Sequence, residues 1–231
     1  KSQEKSVEHA VETAYRENQK LLTETQEIHS SPFLDKLPTT EKSKLQSQLS
    51  NSQAQLNSIN LFFQRYCSDG TAEDDITSEN YQEARNSLIT IEESISKIKA
   101  EVQEGRIVIQ TQEDLILTQR NLETLIGEIR GLNLLEAFSQ RAENTYSAGI
   151  GEIKRRNLGE AKQKEQELAG VKKDISQFSD LTAQIESLYE SIGAIAKEEE
   201  AAQRGETLYR EAKQLAASAD VRTLSQTVSQ L

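Results

Sequence analysis

The chain has 231 residues, a net charge of −11 and a hydrophobic content of 35%; aromatic residues make up 5%, with no Trp and no Met. The acidic balance argues against nucleic acid as a partner, because phosphate binding needs clustered Lys and Arg, and against attraction to an anionic membrane surface. Aromatic bulk is too scarce to close a thick globular centre, and two prolines and ten glycines leave few places to turn, so composition predicts long helices packed side by side.

The single cysteine, Cys67, has no internal disulfide partner, so packing and not covalent staples must hold the fold, and the redox compartment stays open. The chain opens on Lys1 without an initiator Met, which fits a processed product or a piece of a longer protein from which an anchor or signal has been removed. It contains no apolar run of about 18 residues, the length a membrane span requires.

The first helix carries Val7, Val11, Ala14, Leu21 and Ile28 at heptad spacing, with polar gaps at 18 and 25. It is expected to end near Ser30, because both prolines, Pro32 and Pro38, follow. The second starts at Thr39 or Thr40, runs to about Cys67 and carries Leu45, Leu49, Ser52, Leu56, Ile59, Phe63 and Tyr66. An acidic loop, Ser68 to Asp75, separates it from a third helix that starts at Asn80 and carries Leu88, Ile91, Ile95, Ile98 and Val102. Asn80 and Glu83 have the spacing of a capping box; Asn133 with Glu136 and Asn157 with Glu160 repeat it, and Asp220 fits as a cap without the reciprocal Glu. Leu122, Leu125, Ile129 and Leu132 continue the heptads, as do Leu181, Ile185, Leu188, Ile192 and Ile195. Residues at this spacing form one stripe along a helix and must be buried against other helices. Ile116, Leu117, Leu134 and Leu135 widen the stripe, which suits a three-helix core better than recruitment of a second chain. The nearest thing to a strand is Ile107-Val108-Ile109, too isolated to pair.

QRAENTY at residues 140–146 returns as QRGETLY at 203–209. At the same shift of 63 residues Leu125 meets Leu188, Ile129 meets Ile192, Asn157 meets Asp220 and Leu168 meets Leu231. That shift is a whole number of heptads, so the stripe stays in phase. A looser third copy precedes them at Gln64-Arg65. Gln140, Arg141, Tyr146, Gln203, Arg204 and Tyr209 thus hold a fixed place in a repeated unit. The favoured reading packs each Tyr ring between helices while Gln and Arg cover the seam with their stems. The other makes these six residues a repeated peptide-binding ledge, the candidate partner surface.

Each unit would hold three helices; in the clearest they run from Asn157 to about Gln177, from about Asp180 to Gly193 and from about Ala196 to Ala217. Whether helices continue through 104–107 and 178–181 is left open by the residues. Asn80-Tyr81-Gln82-Glu83-Ala84 and Asn157-Leu158-Gly159-Glu160-Ala161 resemble the helix-turn-helix signature of spectrin-like repeats, and look most like that of the bacterial septation-ring regulator family. The resemblance covers Asn80 to Leu231 and implies a scaffold that holds partners at a distance; the core Trp usual in eukaryotic spectrin repeats is absent. The expected fold is all-α, an elongated bundle of long antiparallel helices with coiled-coil packing in spectrin-like repeats. It would divide into an N-terminal hairpin over 1–79, repeats over 80–156 and 157–219, and the start of a further helix over 220–231.

Catalytic chemistry finds no foothold in this pattern. His9 and His29 stand 20 residues apart on the first helix, about 30 Å along its axis. Gly149 and Gly151 follow no strand, so they form no phosphate loop. Cys/His clusters are missing, and the Asp69–Asp75 loop lacks the alternating ligands of a calcium site. Lys154-Arg155-Arg156 reads as a helix C-terminus, where cations suit the macrodipole, and Glu198-Glu199-Glu200 as a solvated face. The reading is therefore a non-enzymatic scaffold or spacer, part of a larger bacterial protein. It would use no cofactor or metal and would bind protein partners, with self-association through helices a further route. It would contact no nucleic acid and insert no segment into a membrane. The cytoplasmic face of a membrane is the favoured location. The alternative is a secreted or surface-exposed effector or toxin-type module that binds a host target.

Overall fold

A computed structural model describes residues 2–68, 71–72, 81–132, 135–195, 199–217, 225–226 and 228. The chain is all-α. Its helices are α1 (Ser2–His29), α2 (Thr39–Tyr66), α3 (Tyr81–Arg130), α4 (Glu136–Lys154), α5 (Leu158–Ile195) and α6 (Glu199–Ala217). Between α2 and α3 lies a two-residue ladder, β1 (Cys67–Ser68) with β2 (Thr71–Ala72), paired antiparallel as Cys67 to Ala72 and Ser68 to Thr71. This small hairpin stands where a plain loop was expected; the acidic residues 69 and 73–75 lie outside the described residues, as does the expected cap Asn80. The chain forms two compact units, Lys1–Glu113 and Asp114–Leu231, so the boundary falls inside α3.

In unit 1 the prolines act as expected. Helix α1 stops at His29, a 3₁₀ turn (Leu34–Lys36) follows, and Leu34 and Leu37 are buried on the way into α2. Three heptad stripes then meet. Val7, Val11, Ala14, Asn18, Leu21, Thr25 and Ile28 of α1 are buried, as are Leu45, Leu49, Ser52, Leu56, Phe63 and Tyr66 of α2. Ala84, Leu88, Ile91, Ile95, Ile98, Val102 and Gly105 of α3 complete the core. The N-terminal hairpin of α1 and α2 buries its apolar faces together with α3.

One contact sets the register: a Cβ added at Gly105 would lie 3.1 Å from Leu45 Cδ1 and 3.5 Å from Ile28 Cδ1. Ile28, Leu45 and Gly105 therefore share a layer. Counting back by threes and fours puts Thr25 with Leu49 and Val102, Leu21 with Ser52 and Ile98, and Asn18 with Leu56 and Ile95. Contacts across the seams agree: Lys99 to Glu17 at 2.8 Å, Arg106 to Glu24 at 3.2 Å, and Ser52 Oγ donating to Glu101 Oε2 at 2.8 Å. The polar gaps at 18 and 25 are thus members of the core, at 0% exposure.

In unit 2 the plan is simpler: both 19-residue short helices, α4 and α6, pack closely on the long α5. Leu122, Ile126 and Ile129 of α3, Phe138 and Ala142 of α4, and Leu168, Val171 and Ile175 of α5 form one cluster. Leu181 and Ile185 of α5 with Ala212 and Ala216 of α6 form the next, and Phe178 touches both. Lys162 to Asp114 at 2.9 Å and Lys172 to Glu128 at 2.8 Å show α5 running parallel to α3.

Two expectations are corrected here. Helix α5 does not break near Gln177–Asp180 but continues to Ile195. No Gly or Pro interrupts 171–192, and instead of a turn the stripe slips: Ile175, Phe178 and Leu181 step by three and three, which moves the buried face from one cluster to the next. Sixty-three residues earlier Gln112, Leu115 and Thr118 make the same step in α3, and all three are buried. A slip of this kind locally overwinds a coiled coil, and here Phe178 at its centre touches both clusters. Second, Ile126 and not Leu125 takes the core position; Leu125 is half-buried, Leu132 is 46% exposed and Leu117 54%. Ile116 and Leu135 are half-buried; Leu134 lies outside the described residues.

Candidate partner surface on the repeated short helices

The connection from α4 to α5 shows how the repeat is built locally. Arg156 takes φ 60°, the left-handed conformation, while Arg156 N–H donates to the Ile153 carbonyl at 3.0 Å and Asn157 N–H to Glu152 at 2.9 Å. This is a Schellman closure with Arg where Gly is usual, so the basic run does lie at a helix end. Asn157 Oδ1 then accepts the Glu160 N–H at 3.4 Å, the expected cap, with its own N–H already engaged by Glu152. At the start of α4 the N-cap is Leu135, without a side-chain cap bond, and not the expected Asn133, which lies outside the described residues, as does Asp220. Leu135 packs against the α3–α4–α5 cluster, and that burial sets where the helix begins.

The two copies of the motif occupy the same place. In α4, Gln140 and Arg141 are exposed, Ala142 is buried and Tyr146 is half-buried. In α6, Gln203 and Arg204 are exposed, Gly205 is buried and Tyr209 is half-buried. A Cβ at Gly205 would meet Ile192 Cγ2 at 2.7 Å, and one at Gly149 would meet Leu122 Cδ1 at 2.9 Å. Shifted by 63 residues, these become Ala142 against Ile129 and Ala212 against Ile185, each pair buried within one cluster. The small residue between Gln-Arg and Glu is the part of the motif that brings the helices close. Sequence reading missed it, although Ala142/Gly205 and Gly149/Ala212 coincide at the repeat distance.

Around each Tyr the neighbours differ. The Arg130 guanidinium lies 5.6 Å from the Tyr146 ring centroid, and its Nε and Nη2 donate to Glu143 at 2.6 and 2.8 Å. Those bonds hold the Glu143 carboxyl below its ordinary range. Tyr209 stacks on Tyr189 with centroids 4.1 Å apart, and Lys213 Nζ lies 5.4 Å from its ring. The Lys213 pKa is raised, chiefly by its hydrogen bond to Glu186. Arg141 pairs with Asp174 of α5 at 2.9 Å, and Gln140 donates to Asn144 at 3.3 Å. Exposed pairs of this kind contribute little stability. What α4 and α6 share outward is a Gln-Arg pair in water; what they share inward is a small residue and a ring.

Among the described residues no group of three His, Cys, Asp or Glu side chains is placed to hold a metal, and no helix is long and apolar enough to cross a membrane. His9 is exposed and His29 half-buried, both on α1. A groove of about 840 Å³ follows α5, lined by Phe138, Phe178, Thr182 and Glu186 among others.

The fold defines the chain as an all-α helical bundle. Comparison with family models, curated proteins and solved structures finds no match.

Proposed function

We propose that the chain is a non-enzymatic helical scaffold that binds protein partners, and that it belongs to a larger bacterial protein of the spectrin-like kind. The observation that carries this reading is the periodic surface. Gln140-Arg141 and Gln203-Arg204 recur outward at one spacing, on short helices whose inner faces are fixed by Ala142, Gly149, Gly205 and Ala212. A repeat that keeps its packing face and also its solvent face presents the same chemistry at regular intervals, as scaffolds built from repeats do. Proximity labelling in the expressing cells tests it, comparing the wild type with Arg141→Glu/Arg204→Glu. A scaffold should label a fixed set of neighbouring proteins that the variant loses while its melting curve is unchanged. Identical labelling by both chains would remove these residues from the partner surface.

A further inference from the structure

We propose that α1 is a displaceable strap: unit 1 has a second state in which α1 leaves while α2 and α3 stay paired. The three stripes are not equal. α2 contributes Leu45, Leu49, Leu56, Phe63 and Tyr66, and α3 contributes Leu88, Ile91, Ile95, Ile98 and Val102. α1 contributes two valines, Ala14, Leu21 and Ile28, and it holds two of the three polar residues in the central layers, Asn18 and Thr25.

Asn18 is the weak point. It is 0% exposed, and among the described residues neither its Nδ2 nor its Oδ1 has a hydrogen-bond partner. A buried amide without a partner forfeits its hydration and gains nothing in return. Undocking α1 returns that amide to water, so opening this helix costs less than opening one with an apolar stripe. The Thr25 hydroxyl donates to Leu21 O of its own helix at 2.7 Å and so ties α1 to nothing else. By contrast the third polar core residue, Ser52, cross-links α2 to α3 through Glu101.

Beyond its buried stripe α1 packs Ala10, Tyr15 and Leu22 on the core, with Tyr15 edge to face on Phe63 at 5.6 Å; its polar links lie at the rim. Gln19 donates to Asn60 at 3.0 Å, Lys99 pairs with Glu17, and Arg106 with Glu24 and Glu27. Lys99 and Arg106 are 61% and 44% exposed, so water and salt weaken both pairs. These two pairs also stand one heptad apart on both helices. They therefore support α1 wherever it docks in phase and do little to lock it in place.

Native-state hydrogen exchange on the 231-residue chain, at denaturant levels below the unfolding transition, tests this by following peptides that cover residues 7–28, 45–63 and 88–102. The α1 amides should exchange through an opening at least about tenfold more populated than the one that exposes α2 and α3. Asn18→Leu should slow α1 exchange by about tenfold or more, and Thr25→Val, which keeps the shape of the side chain, should slow it in the same direction. One common opening for all three helices overturns the proposal. So does α1 exchange that Thr25→Val leaves unchanged, and that variant decides the matter if Asn18→Leu fails to fold.

Discussion

At the scale of single residues, the repeated tyrosines separate packing from binding. Both rings are half-buried against apolar clusters, so Tyr146→Ala and Tyr209→Ala should each cost about 1–3 kcal/mol in chemical denaturation, less than a fully buried ring would. Gln140→Ala and Arg141→Ala should change stability by under about 0.5 kcal/mol. Two unperturbed Tyr variants would turn the rings into a binding ledge. Asn157→Ala removes a long cap bond and should cost about 0.5–1 kcal/mol. The Glu143 carboxyl adds a pH signature. Its folded pKa is lowered below 4.5 by Arg130. Its contribution is therefore complete above that unfolded value and is lost as the pH falls through the folded one. The stability difference between wild type and Glu143→Gln, under about 1 kcal/mol at this exposed site, should be present at neutral pH and vanish in acid. A difference that grows on acidification would contradict the assignment.

At the scale of elements, glycine decides how closely helices approach. Nothing lies within 4 Å of a Cβ built at Gly151 or Gly170, so alanine there should raise the melting temperature, with a gain of up to about 1 kcal/mol from helix propensity. Gly205→Ala should lower it, because the new carbon would sit 2.7 Å from Ile192 Cγ2, and a β-branched side chain has no easy rotamer to retreat into. Gly149→Ala should lower it too, because the new carbon would meet the fully buried Leu122 at 2.9 Å and Lys164 Cβ at 3.2 Å. If Gly205→Ala were as favourable as Gly170→Ala, α6 would not pack on α5 as described.

At the scale of the whole molecule, the cores of the two units are made of different residues. Ile98 belongs to the core of unit 1 and Ile126 to that of unit 2, and among the described residues none is common to the two cores. Ile98→Val and Ile126→Val should each cost about 0.5–1.5 kcal/mol, and the double variant should lose their sum within about 0.5 kcal/mol. A marked departure from the sum would show that the continuous α3 couples the two cores energetically.

Much of the fold was legible because heptad periodicity is a one-dimensional record of burial. The stripes of α1, α2 and the first half of α3 could be read residue by residue, and the prolines and capping residues marked the ends of α1, the start of α2 and the Asn157 turn. The 63-residue spacing was legible as well, including the place of Tyr146 and Tyr209. What tertiary structure alone decided was which breaks are real and which polar residues are inside. The sequence around 178–181 offers no turn and no obvious interruption, and the three-three slip that replaces the expected break changes only which face is buried. Asn18 and Thr25 looked like gaps because polarity predicts exposure, yet a helix cannot turn two residues outward without carrying their apolar neighbours Leu21 and Ile28 out of the core. The buried role of Ala142, Gly149, Gly205 and Ala212 was hidden for a related reason. A small side chain leaves little hydrophobic signal in the sequence, and its importance comes from the neighbour that would collide with anything larger.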